Sequence, residues 1–362
     1  MRLYPLLFQP NLHTVVWGGH QLQPYKGLPQ TDEPVGESWE VSAVPSSTSI
    51  ISNGPLVGRN LPSAIAESPE AILGRAVNEK YKGQLPLLVK FIDAQRDLSI
   101  QVHPNDEMAQ REHGKMGKSE MWYVIKADPG AHLYAGFKQA ITPHEYKKRI
   151  EDGTITDVLA DHQVKAGDVF YLPAGRVHAI CGGILLAEVQ QSSDVTYRIY
   201  DYNRPGLDGK PRELHTELAA QALDYEVERN YRTDYPKFDN RATLIVDSPY
   251  FSVRVLEFND KFHRNLLKYD SFIITMCIEG DCEIRLRPTV HSPLPIVNGP
   301  LSIVNCPLSI ILKEGHSTLI PAAIADYDLI PLNGKSRILD AFIDNRPATF
   351  ARQITSLLHI ER

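Results

Sequence analysis

Cysteine is scarce in this 362-residue chain, which has only Cys181, Cys277, Cys282 and Cys306 and no Cys-x-x-Cys pair. That excludes a disulfide framework and a thiolate zinc site, so the four read as reduced core thiols. No apolar run approaches the roughly 18 residues that span a bilayer, and Leu3-Tyr4-Pro5-Leu6-Leu7-Phe8 is too short and too proline-broken for a signal peptide. A cytoplasmic protein with no membrane partner is expected. Charge bias is missing too: 38 basic against 44 acidic residues leave −6, which gives no reason to expect a nucleic-acid partner. Any anion must therefore be held locally. What is present, 43% hydrophobic and 23% charged residues, is the balance of an ordinary folded chain of about two domains.

Long helical patterns are few, and 26 prolines with 23 glycines cut the chain into short pieces, which predicts a mostly β fold. Spacings of three and four predict short helices over Ser63 to Tyr81, Asp106 to Met116, Pro143 to Asp161 and Arg212 to Leu223. Strands are expected at Leu87 to Phe91, Leu98 to His103, Glu120 to Ile125, Asp168 to Leu172 and Ile184 to Val189. A second strand-rich region follows Asn240, with candidates at 242–246, 251–255, 271–278 and 317–321. The run Ala166 to Ala174 aligns with Glu314 to Ala322 with Gly, apolar residues and Pro-Ala in step, which suggests an internal repeat. The expected division is a first domain over 1–235, including a turn-rich connector from Tyr197 to Tyr235, and a second domain over 236–362. Pro288 to Ser309 reads as a loop or extra hairpin.

Gly167, Pro173-x-Gly175 and His178 outline a strand, a tight turn and a histidine aimed inward from the next strand, where it can serve as a neutral metal ligand. This resembles the second motif of the cupins, small β-barrels of the jelly-roll type. The first cupin motif needs two ligands on one strand face and a carboxylate on the next strand. Gln101-Val102-His103 meets the period-2 requirement, and Glu120 can supply the carboxylate. Two departures, glutamine for the usual histidine and a polar insert before Glu120, match the type I phosphomannose isomerases. Leu85 to Ala94, Leu98 to Asp106, Trp17-Gly18-Gly19, Gly36 to Glu40, Lys118 to Tyr123 and Glu188 to Arg198 are similar to that family as well. The strong motifs run from about Tyr4 to Arg204.

The resemblance implies two cupin-type jelly-roll barrels with a few short helices. It implies reversible conversion of mannose 6-phosphate to fructose 6-phosphate through a cis-enediol. It also implies one zinc or other divalent ion on Gln101, His103, Glu120 and His178, with Arg198 and Lys118 catalytic and Arg204 near the substrate phosphate. Asn105 and Asp106 read as caps of the inserted helix, Trp17, Trp39 and Cys181 as packing residues. In the second domain Asp326 stands where the repeat calls for a histidine, so that domain is expected to lack metal. The alternatives are a cupin metallo-oxygenase and a non-catalytic sugar-phosphate sensor, because one fold hosts many chemistries.

Overall fold

The computed structural model describes residues 3–287 and 307–346. Cys306 and residues 288–306, most of the expected loop, lie outside them. The fold is mostly β with short helices, as expected. Contacts divide the chain into two compact units, one of Asn11–Trp39 with Leu87–Asp234, the other of Met1–Pro10, Glu40–Pro86 and Tyr235–Arg362. The last segment begins at Tyr235, and residues 1–10 and 40–86 group with it. Contacts very distant in sequence explain this: Leu6–Leu7 pairs with Ser317–Ile320, and Arg75 and Ala76 donate their backbone N–H groups to the Asp270 carboxylate.

The first unit has two antiparallel sheets. One runs in the order Leu12–Gly19, Val35–Val41, Leu87–Ala94, Ile184–Gln191, Glu120–Ala127, Val169–Leu172. The other runs Tyr197–Tyr200, Ile100–Val102, His178–Ile180, His132–Phe137, Leu159–Gln163. One apolar cluster draws on both sheets, with Ile92, Trp122 and Leu186 from the first and Leu133, Ala135 and Ile180 from the second. Alternation then fixes what faces it. Lys90, Glu120 and Glu188 lie on the same strand faces as these core residues, whereas Ile100, Val102 and Ala179 point the other way, against Met108, Tyr146 and Ala219 of the helices. Gln101 and His178 are thereby left on the interior face.

Glycine decides where two expected helices stop. The pattern over 63–81 breaks into Leu61–Glu67, Pro69–Leu73 and Arg75–Tyr81, with Gly74 at φ 92 against the Asp270 carbonyl, where a Cβ would have no room. The insert helix is Asp106–His113, capped by the Asn105 side chain, and ends at Gly114 at φ 64. The other two are shorter than expected, Pro143–Glu151 and Thr216–Ala222, so Arg212 and His215 precede the last helix.

Eight strands of the second unit repeat the order of eight in the first: Ser317–Ile320, Ile273–Glu279, Ser336–Phe342 and Ser252–Phe258 in one sheet, Phe262–Asn265, Asp326–Pro331, Cys282–Leu286 and Ser309–Leu312 in the other. Its facing is offset by one residue. Asp326, aligned with His178, meets His263 and Asn265 at 2.7 and 3.2 Å, while buried Arg264 and Tyr327 pair across the ladder. Arg264 Nη2 donates to Asp340 Oδ2 at 2.7 Å and Thr275 Oγ1 to Asp340 Oδ1 at 2.7 Å. Asp340→Ala takes the carboxylate from a buried guanidinium and is expected to cost about 3–5 kcal/mol. An unshifted denaturant midpoint would contradict this.

Candidate metal centre and cavity

The strand order brings together residues that the sequence scatters over 77 positions. Gln101 pairs with His178 across one ladder and with Arg198 across the next. His103, Glu120 and His178, all buried, each place a ligand atom within 4.8 Å of the others. His103 Nδ1 lies 3.0 Å from the Val195 carbonyl and His178 Nδ1 2.8 Å from the Arg176 carbonyl. Each carbonyl accepts the Nδ1 proton, which leaves the Nε2 lone pairs turned inward. Burial keeps both rings neutral, assisted by the Lys118 ammonium, and takes His103 down to about 3.

Those lone pairs face a carboxylate. Glu120 Oε2 is 3.3 Å from His103 Nε2, and Glu120 Oε1 is 3.2 Å from His178 Nε2. Burial would raise the Glu120 carboxyl, but the Lys118 ammonium beside it opposes this and holds it well below the usual carboxylate range. Lys118 Nζ, just before the strand, answers one side only, at 3.0 Å from Oε2 and 3.2 Å from His103 Nε2. Between Oε1 and His178 Nε2 no proton remains, and Glu120 Oε1 has no hydrogen-bond partner. An anion facing lone pairs in a dry interior is stable only with a cation between them. Gln101 completes the ring, with its amide 3.3 Å from His178 Nε2; rotated by half a turn it presents Oε1. This donor set fits a divalent ion.

Gln101 and Lys118 also border a cavity of about 360 Å³, which Arg198, Arg212, His215 and Trp39 help to line. Arg198 Nη1 donates to the Glu213 carbonyl at 3.0 Å, while its buried Nε has no partner. Arg204 does not line the cavity; its Nε and Nη2 lie 3.0 and 2.9 Å from Asp201 Oδ1. Trp17 is buried in the core as expected, and also lines the cavity. Trp39 does more than pack, donating from Nε1 to Glu37 Oε2 at 2.6 Å.

Residues 6–124 match the family described as phosphomannose isomerase type I, catalytic domain. The mannose-6-phosphate isomerase of Streptococcus mutans is 38% identical over 250 residues, 69% of this chain and 77% of that protein. ManA of Bacillus subtilis, also a mannose-6-phosphate isomerase, is 35% identical over 284 residues, 78% of this chain and 87% of its own. The chain belongs to the mannose-6-phosphate isomerase family. A Bacillus subtilis mannose 6-phosphate isomerase crystal structure superposes with a TM-score of 0.79 at 30% identity, covering 94% of this chain and 99% of that one. Among the described residues no helix is long and apolar enough to cross a membrane.

The cavity contains more charge than the sequence motifs singled out. Lys90 Nζ lies 3.2 Å from Glu188 and 3.9 Å from Glu37, and 4.9 Å over the Trp39 ring. Burial alone would lower the Lys90 pKa, but Glu37 and Glu188 outweigh it and raise it, so the ammonium persists. Glu188 is raised, chiefly by burial, and its Oε1 accepts from Trp122 Nε1 at 3.0 Å. A signal was available: Lys90 and Glu188 put charges within the mainly apolar strands Leu87–Ala94 and Ile184–Gln191, which are buried throughout. For Arg212 and His215 there was none, since both sit in a stretch that reads as helix.

Proposed function

We propose that this enzyme interconverts mannose 6-phosphate and fructose 6-phosphate through a cis-enediol, with one zinc ion held by Gln101, His103, Glu120 and His178. The observation that carries the reading is the Glu120 carboxylate, buried and facing two histidine lone pairs beside a cavity lined with cations. A divalent ion at these ligands supplies positive charge to substrate oxygens. The reaction removes a proton from C2 and delivers one to C1, so negative charge develops on the enediolate oxygens. Arg198 and Lys118 are the groups assigned to stabilise that charge, and Arg204 is assigned to the phosphate end through the carboxylate it grips. A sugar phosphate crosses no bilayer unaided, so the reading places enzyme and substrate together in the cytoplasm.

The basic lining disfavours the oxygenase alternative, whose apolar substrates need no arginine. The test is formation of fructose 6-phosphate from mannose 6-phosphate by the purified protein, before and after chelation and with zinc restored. Turnover should vanish on chelation and return with zinc. Absence of turnover in metal-loaded protein would remove the isomerase reading, and activity that survives complete metal removal would remove the metal's part in it.

A further inference from the structure

Asp201 is buried, and two guanidiniums share it. Arg212 grips it through Nε at 2.7 Å and Nη2 at 2.6 Å, and Arg204 at 3.0 and 2.9 Å. Arg198 is close enough for both arginines to add to the effect of burial in lowering its pKa, with Glu213, an exposed residue, and Asp201 as the opposing acids. Two guanidiniums thus share one buried carboxylate with a third beside them, so against Asp201 and Glu213 the cluster keeps a net positive charge that an anion would relieve. A phosphate monoester is an anion suited to such a cluster.

The cavity selects which cations reach that anion. Arg212 and His215 line it, beside Arg198, and Arg204 stands outside. His215 Nδ1 accepts the Arg198 backbone N–H at 3.2 Å, so the imidazole proton sits on Nε2. With Nε and Nη2 committed to Asp201, Arg212 keeps Nη1 for a ligand.

We propose that Arg212 and the His215 Nε2–H form the direct phosphate subsite, with Asp201 and Arg204 behind them as positioning residues. This rests on the isomerase reading, and it gives the substrate a direction. Arg198 is the cross-strand neighbour of Gln101, so a phosphate anchored beside Arg198 extends the sugar carbons toward the metal ligands.

The test measures inorganic phosphate binding to the metal-loaded protein by calorimetry, together with KM and kcat for mannose 6-phosphate. Arg212→Gln is expected to weaken phosphate about 10- to 100-fold, the scale of losing a charge-assisted hydrogen bond, and to raise KM with metal content unchanged. His215→Asn, which leaves the Arg212–Asp201 pair intact, should shift both quantities in the same direction by less. Arg204→Gln should weaken phosphate less than Arg212→Gln, since it preserves the group that faces the cavity. Wild-type phosphate affinity in both Arg212→Gln and His215→Asn would overturn the proposal, as would Arg204→Gln being the most damaging of the three. The calorimetric arm does not depend on turnover: phosphate binding lost in the variants, with no isomerisation by the parent protein, would uphold the subsite while removing the isomerase reading.

Discussion

His178→Ala is expected to abolish isomerisation and metal retention together. The substitution removes the Nε2 atom that faces Glu120 Oε1 at 3.2 Å, and with it the partner of the Gln101 amide. Gln101, His103 and Glu120 then remain, but the Gln101 amide has lost the contact that holds it, so the weakened set should release the ion to water and free chelators. The strand itself should survive, because the backbone of residue 178 pairs with Gln101 and Ala135 whatever its side chain. Elemental analysis of the purified variant beside a coupled activity assay tests this. A variant that carries a full complement of metal would refute the ligand assignment.

Arg198→Ala separates charge stabilisation from metal binding. Its guanidinium lines the cavity but touches none of the three clustered ligands, so metal content should be unchanged while kcat falls roughly 10²- to 10³-fold, the scale of losing one preorganised donor to a developing oxyanion. Unchanged turnover would reduce Arg198 to a clasp on the Glu213 carbonyl. These two variants fail in different ways, and that difference is what assigns the roles: one loses the ion, the other keeps an ion it cannot use.

Local pattern made much of this legible. Gln101-x-His103 shows two side chains on one strand face, and a Gly, Pro and Gly before His178 show a turn that aims it inward, because both are short-range consequences of backbone geometry. The inserted helix could be read with its cap, since Asn105 accepts from Met108 N–H one turn ahead. Three features could not be read this way. The helical pattern over 63–81 was spaced well enough for one helix, and Gly74 breaks it because the chain passes against Asp270, almost two hundred residues away. The alignment set Asp326 over His178, yet a one-residue change of facing turns Arg264 and Tyr327 to the interior instead, and a strand's period of two makes such a slip invisible to sequence matching. Arg204 stood at the family's position for a basic residue near the phosphate, while Arg212 reaches the cavity because Asp201 binds both and the expected helix begins only at Thr216.

The sequence by itself determined the β class, the candidate ligands and the family, because each depends on residue types at fixed, short spacings. Only the tertiary structure decided which segments form each unit, that Lys90, Glu37 and Glu188 share the cavity, and which arginine faces it. Those outcomes depend on strand order and on charges shared between distant segments, and no local spacing encodes either.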